Sequence, residues 1–145
     1  MSLAAFALTT AAKQYIGDGT IDLDSDTFKA ALVSSASNIG AGTTNFGGVT
    51  NELATANGYT SGGFTVTTNT YVGAKWKTDN IWWQTAATGF SARWMVIYKV
   101  GTANGVVNPV LGYVLLDATP ADFVFAANKR EEFACDATNG WFNLA

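Results

Sequence analysis

Alternating hydrophobic and polar positions make residues 80–100 (NIWWQTAATGFSARWMVIYKV) the most strand-like segment of this chain. From Ser91 onward, one side of a two-residue repeat is apolar throughout, and the other side mixes charged residues with Met95 and Ile97. The apolar side consists of Ala92, Trp94, Val96, Tyr98 and Val100. The pattern predicts two strands around a short turn at residues 87–89, the second being a central strand whose outer face is partly covered. Three of the five tryptophans lie in this segment, so we expect the core here.

The first residues of the chain repeat their apolar side chains at helical spacing. The series consists of Leu3, Phe6, Ala7, Ala11 and Tyr15. It predicts a helix at about residues 2–16, capped by Ser2 and ended by Gly17. Because the segment is rich in alanine and has Lys13 as its one charge, we expect the helix to lie on its own sheet or on a neighbouring subunit.

The rest of the chain shows the pattern of short strands separated by turns. Residues 27–34 predict a strand, and the glycine-rich residues 35–63 predict a long surface loop with a helical turn at residues 49–54. Further strands are predicted at residues 64–68, 71–77, 110–116, 122–126 and 132–135. A last strand is expected to bury Trp141 or Phe142.

This succession of elements indicates the fold class. About eight short strands with glycine-, asparagine- and threonine-rich turns, after one helix, are typical of an antiparallel sandwich or barrel. Strands and helices do not alternate, which argues against a doubly wound fold. We therefore predict an all-β protein, a single antiparallel β-sandwich domain over residues 1–145, of jelly-roll or immunoglobulin-like type.

The chain is poor in charge: only 13% of its residues are charged, against about 25% in an ordinary globular domain. A surface so poor in charge is typical of a protein packed against others, although a secreted or thermally robust monomer has a similar composition. With a net charge of −3 and basic residues clustered only at Lys75/Lys77 and Lys129/Arg130, we expect no nucleic-acid partner. No apolar run has the length of a membrane span, and the first residues lack the features of a signal peptide, so we expect no membrane partner.

The chain contains no histidine, which excludes Ser-His-Asp and Cys-His catalysis and His-ligated metal sites. Cys135 is the only cysteine and cannot form an internal disulfide; we expect it to be a small buried hydrophobe on a strand. Hydrolysis of glycosidic bonds would need two carboxylates in a cleft, and the candidates are Asp117 with Asp122 or Glu131 with Glu132. Both pairs lie in contexts typical of a solvated surface, so we expect no catalytic residues.

Residues 17–26 (GDGTIDLDSD) place four aspartates in a turn-rich stretch. The carboxylates of Asp18, Asp22, Asp24 and Asp26 could direct several oxygens toward one calcium ion. The EF-hand pattern requires glycine at its sixth position and glutamate at its twelfth, where this sequence, counted from Asp22, has Thr27 and Val33. Asp and Ser also favour turns through their own side-chain hydrogen bonds. We therefore expect a solvated turn without a metal or cofactor, with calcium binding as the alternative.

Four phrases occur along the chain in a fixed order. They are IDLDSDTFKAALVSS at residues 21–35, TNELATANGYTSGG at 50–63, FSARWMVIYK at 90–99 and VLGYVLLD at 110–117. In this order the chain resembles a family of small virion structural proteins of tailed bacteriophages. Ser91 stands for the usual threonine of that family, Trp94 for its tyrosine, and Leu116 lies near its usual aromatic residue. The segment after Pro120 lies outside the resemblance.

The resemblance implies a non-enzymatic capsid decoration or cement protein. Such a protein would be made in the cytoplasm of the bacterial host and would then bind and stabilise the shell of the major capsid protein, as a dimer or trimer on the virion surface. Apolar burial and hydrogen bonding along strand edges would hold it there, and repetition over the shell adds avidity.

The residues themselves suggest where contact with a partner would occur. We expect protein-interface residues at Leu3 and Phe6 in the N-terminal segment and at Phe46, Asn51 and Tyr59 in the long loop. For Phe46 and Tyr59 the alternative is that they fold back onto their own domain.

An alternative function is that of a tail or spike component that binds a host receptor or carbohydrate. β-Sandwiches commonly present aromatic side chains to sugar rings, and the tryptophans would allow it. However, Trp76, Trp82, Trp83 and Trp94 lie inside strand patterns, where burial is expected.

Overall fold

The computed structural model describes residues 3–144, and within this range short strands are joined by turns around one helix, α1 (Thr10–Gly17). The strands are β1 (Ala7–Leu8), β2 (Phe28–Val33), β3 (Phe64–Thr65), β4 (Thr70–Val72), β5 (Lys75–Lys77), β6 (Ile81–Gln84), β7 (Phe90–Ala92), β8 (Trp94–Lys99), β9 (Thr102–Ala103), β10 (Val106–Val107), β11 (Val110–Leu115), β12 (Phe123–Phe125), β13 (Arg130–Phe133) and β14 (Phe142–Asn143). The predicted all-β class is confirmed.

A five-stranded antiparallel sheet forms the centre, with the order β1-β11-β8-β2-β3. β2 and β8 pair over their whole lengths, from Phe28 opposite Lys99 to Val33 opposite Trp94. The predicted central position of β8 is therefore confirmed. β2, β8 and β11 are largely buried on both faces, which explains why β11 is almost continuously apolar in sequence.

Smaller antiparallel sheets cover one face of this central sheet. They pair β12 with β7, β13 with β6, and β14 with β5 and β4. Their inward side chains, among them Trp83, Phe125 and Phe133, join Met95 and Ile97 of β8 in the larger of two hydrophobic clusters. We call this side of the central sheet the inner face. The choice between jelly-roll and immunoglobulin-like order stays a prediction.

The other side of the central sheet, the outer face, is covered by the first part of residues 35–63, a stretch that we call the loop cover. Leu53 and Tyr59, in its second part, pack into the larger cluster instead. A second hydrophobic cluster lies between the sheet and the loop cover. Its sheet residues are Ala31, Val33, Val96, Tyr98 and Val110, and Phe46 and Val49 of the loop cover pack on them. The fully apolar side of β8 therefore faces the loop, and the mixed side with Met95 faces the larger core. Alternation is interrupted at Arg93, between β7 and β8, so that Ala92 also faces the larger core.

The two strands predicted around residues 87–89 exist but do not pair with each other. β6 pairs with β13, and β7 pairs with β12. The Thr85 hydroxyl, which follows β6, hydrogen-bonds to the carbonyl oxygens of Ala126 and Lys129 and ties this end of β6 to the β12–β13 connection. Each of the two strands thus pairs with a strand far along the chain and not with the other.

The predicted helix at residues 2–16 is wrong in its first half. Residues 4–9 run antiparallel to β11: the Ala4 amide donates to the Leu115 carbonyl oxygen at 3.0 Å. Gly112 makes room for this path, because a Cβ there would lie 2.5 Å from the Phe6 ring. The helix begins at Thr10, and its cap is Thr9, whose hydroxyl accepts from the Ala12 amide at 3.0 Å. The predicted cap Ser2 lies outside the described residues.

Three smaller predictions are corrected. The strand predicted at residues 71–77 is a hairpin, because Gly73 and Ala74 adopt positive φ angles of 61° and 64° and form a tight turn between β4 and β5. Residues 49–54 form no helical turn, and Glu52 among them bridges Val33; the helical turn is a 3₁₀ turn at Phe46–Gly48. Cys135 follows β13 and is half-buried rather than buried on a strand.

The tail agrees with the sequence. Trp141 and Phe142 are both buried, and β14 pairs with β5. Among the described residues, no helix has the length and the apolar character that crossing a membrane would require.

Candidate interaction surface

The N-terminal segment forms one edge of the central sheet, and we call residues 3–8 the N-terminal edge. It includes β1, which pairs with β11 and is the outermost strand on that side of the sheet, and none of its residues is charged. Phe6 is half-buried and stacks on Phe142 with ring centroids 5.6 Å apart, whereas Ala5 is exposed. Charges and prolines commonly protect sheet edges, because unpaired backbone groups there can pair with another chain. The N-terminal edge has neither.

The structure brings the predicted contact residues Leu3 and Phe6 together. Both line a cleft of about 320 Å³ between the N-terminal edge and Trp141, and both pack against the larger core. They therefore hold the edge in place and are half-exposed beside it. Their role as interface residues stays a prediction.

The three predicted contact residues of the loop cover lie differently. Phe46 stacks on Tyr98, with ring centroids 4.0 Å apart and planes within 6° of parallel. Tyr59 is only 2% exposed and belongs to the larger core. The alternative in which both fold back onto their own domain describes the structure. Asn51 is exposed, with a φ of 60°.

A clamp of polar groups holds the loop cover on the sheet. The Tyr59 hydroxyl accepts from the Leu32 amide at 3.0 Å and donates to Glu52 Oε1 at 2.8 Å. The same carboxylate accepts from the Gly62 amide at 2.5 Å, and the Tyr98 hydroxyl donates to the Gly62 carbonyl oxygen at 2.6 Å. Burial raises the pKa of Tyr59 and raises that of Tyr98 to about 12, so both hydroxyls remain protonated donors well above neutral pH. Residues 50–63 thus contain the groups that hold the loop cover on the central sheet.

The acidic turn at residues 17–26 is also structural. The Leu23 carbonyl oxygen accepts from Trp76 Nε1 at 3.0 Å, and Asp24 Oδ1 accepts from the Tyr71 amide at 3.2 Å. Asp26 forms an ion pair with Lys99 at 2.8 Å. These bonds dock the turn on the β4–β5 hairpin and on β8. Between residues 3 and 144 the structure shows no group of three or more acidic, cysteine or histidine side chains that could hold a metal ion.

The aspartates of this turn also close it locally. A hydrogen bond from the Thr20 hydroxyl is the main cause of a lowered pKa for Asp18, and a bond from Ser25 has the same effect on Asp22. The ionised carboxylates are the forms that the turn stabilises.

The carboxylates considered for glycoside hydrolysis each have a partner. Asp122 pairs with Arg93 at 2.8 Å, Glu131 pairs with Lys129 at 2.9 Å, and Glu132 pairs with Arg130 at 2.6 Å. Hydrogen bonds from the Thr119 hydroxyl and amide lower the pKa of Asp117. A general acid needs a raised pKa, so Asp117 is tuned in the opposite direction.

The tryptophans differ from the expectation of uniform burial. Trp76 and Trp83 are 0% and 4% exposed, but Trp82 and Trp94 are half-buried. The guanidinium of Arg130 lies 3.9 Å from the centre of the Trp82 ring. The outward placement of Trp82 could have been predicted, because side chains alternate along a strand and Trp82 lies between the inward residues Ile81 and Trp83.

Cys135 is not a candidate for chemistry. Desolvation by burial raises the pKa of its thiol, and its sulfur faces the backbone carbonyl oxygen of Asp136 at 3.8 Å. A reactive cysteine requires a lowered pKa.

Comparison of the chain with protein-family models, with curated proteins and with solved structures finds no match.

Proposed function

We propose that this protein is a non-enzymatic structural component of a bacteriophage virion, a decoration or cement protein that binds the shell of the major capsid protein. The observation that carries the proposal is the uncharged N-terminal edge of the central sheet. The inner strands of this sheet come from three of the four segments that resemble the phage family, residues 21–35, 90–99 and 110–117. An edge strand of this kind adds backbone hydrogen bonds to a partner.

Composition supports the same function. With 13% charged residues, the surface has little electrostatic repulsion to overcome when many copies lie side by side on a shell. Large apolar side chains are also exposed at Val72, Val107 and Val124, which are 74%, 58% and 65% exposed. Repetition over the shell lets each contact remain modest.

The test is co-assembly with the major capsid protein encoded by the same virus. The chain is mixed with purified shells, which are sedimented, and bound chain is quantified. We expect saturable binding to assembled shells. Absence of binding to shells at micromolar chain concentrations would overturn the proposal.

One variant pair examines the edge itself. Ala5→Asp places a charge on the N-terminal edge, and Ala127→Asp places the same charge on an exposed position after β12. We expect Ala5→Asp to weaken shell binding at least about tenfold and Ala127→Asp to leave it unchanged. Equal binding by both variants would remove the N-terminal edge from the contact.

A further inference from the structure

A groove crosses the outward side of the β6–β13 pair, and we call it the Trp82 groove. It consists of two adjoining clefts of about 410 and 470 Å³, and Phe64 and Trp82 line both. Thr60, Thr65 and Gln84 line the first cleft. Thr78, Asp79, Asn80, Arg130 and Glu132 line the second. The aromatic pair therefore lies between two polar compartments.

Strand geometry fixes the aromatic pair. Ile81 and Trp83 on either side of Trp82 are buried in the larger core, so Trp82 projects outward. Its ring lies 5.5 Å from that of Phe64, and Arg130 stacks over one face of it. The surface of the pair that these contacts leave uncovered lines both clefts.

The polar groups of the second cleft are held by one another. Arg130 pairs with Glu132 at 2.6 Å, and the Asn80 amide donates to the other oxygen of Glu132 at 3.4 Å. Asp79 accepts from the hydroxyls of Thr67 and Thr68 at 3.1 and 2.7 Å. Fixed donors and acceptors cost less ordering entropy when a ligand binds.

Charge decides which ligand class fits. Two carboxylates, Asp79 and Glu132, face one guanidinium, and Glu132 already neutralises that guanidinium. An anionic ligand would meet a net negative cleft, so phosphates and acidic sugars are disfavoured. The hydroxyls and amides of both clefts donate and accept hydrogen bonds, which matches a ligand made of neutral hydroxyl groups.

We propose that the Trp82 groove binds a neutral oligosaccharide. A sugar ring has an apolar C–H surface that packs on aromatic rings and hydroxyl groups at its rim that bond to polar side chains. Two adjoining clefts accept more than one ring. This inference is independent of the proposed shell contact, because the N-terminal edge and the Trp82 groove involve different strands.

The experiment titrates the full chain with unbranched neutral oligosaccharides of glucose, galactose, mannose and N-acetylglucosamine, and with uronic acid oligomers. Binding is followed by calorimetry and by the tryptophan indole signals in proton–nitrogen NMR spectra. We expect at least one neutral series to bind and to shift the Trp82 indole signal, while the Trp94 signal stays in place. Absence of binding by every neutral series, or stronger binding of the uronic acid oligomers, would overturn the inference.

Variants locate the site. We expect Trp82→Ala and Asn80→Ala each to weaken binding at least about tenfold, or about 1.4 kcal/mol. Asn80 is exposed, so we expect its replacement to leave the fold intact. The matched control is Arg93→Ala, which removes the arginine that lies 5.8 Å from the Trp94 ring centre. Unchanged affinity in folded Asn80→Ala and Trp82→Ala would place binding elsewhere and overturn the inference.

Discussion

The two faces of the central sheet are covered in opposite ways. On the inner face, regular strands present aromatic rings, and Trp83 contacts the rings of Phe125 and Phe133 at centroid distances of 6.0 Å each. On the outer face, the irregular loop cover lies over a smaller cluster. Strand pairing satisfies backbone hydrogen bonds on the inner side, and side-chain packing then adds non-directional stability.

The loop cover pairs with the central sheet only at isolated bridges, such as Val33 with Glu52, and side chains bond to the rest of its backbone. Asn38 and Thr50 exchange two hydrogen bonds between side chain and amide, each 3.0 Å long. Asn38 Nδ2 also donates to the Gly48 carbonyl oxygen at 2.9 Å. Where ladder bonds are few, backbone groups find their partners one at a time. The inner face therefore depends on apolar volume, whereas the loop cover depends on polar anchors in addition to its apolar contacts.

The largest effect is expected on the inner face. Trp83→Ala removes a ring that is 4% exposed and should lower the free energy of unfolding by about 3–5 kcal/mol, because a large cavity remains. Denaturant unfolding measures the loss. Val124→Ala, at a side chain 65% exposed, is the control and should change stability by less than about 0.5 kcal/mol. Similar losses in both variants would contradict the assignment of the core.

A smaller and more local effect is expected in the loop cover. Glu52→Ala leaves the Tyr59 hydroxyl and the Gly62 amide without their carboxylate partner, which should cost about 2–3 kcal/mol. Hydrogen exchange should accelerate at Gly62 and Leu53 and stay slow in β11. Glu132→Ala, at an exposed ion pair, should cost less than about 1 kcal/mol. Uniform acceleration throughout the sheet would show that the two faces are one cooperative unit.

The smallest effect is a dependence on alkaline pH. The pKa of Tyr98 is about 12 in the folded protein against 10.0 ordinarily, chiefly because of burial and then because of the Glu52 charge. A raised folded pKa means that the stabilisation is complete below pH 10.0 and is lost as the pH rises through about 12. Denaturant unfolding at stepped pH should show this decline, with a shallower slope in Tyr98→Phe. Identical slopes would exclude Tyr98 as a source.

Strand positions could be predicted for the long strands of the central sheet. Residues 27–34 and 110–116 predict strands, and the structure has β2 and β11 there. The N-terminal segment could not be assigned, because its apolar spacing fits a helix as well as an edge strand. The missing side chain of Gly112 makes room for the edge strand, and Gly112 lies far from the N-terminal segment in the sequence.

The candidate surfaces were only partly predictable. Leu3 and Phe6 do lie at a sheet edge, but Tyr59 is buried because its hydroxyl reaches the Leu32 amide on a distant strand. The stack of Arg130 on Trp82 depends on the pairing of β6 with β13. Residues that lie next to each other only through strand pairing leave no local mark in the sequence.

The all-β class, the positions of the long strands and the turn-forming role of the aspartates follow from neighbouring residues, and the low charge follows from composition, so all of them can be read from the amino-acid sequence. Three features required the folded structure: the side of β8 that faces the larger core, the pairing of the strands, and the place of Trp82 in a polar groove. These features follow from contacts between residues far apart in the chain, where burial and backbone hydrogen bonding outweigh local preference.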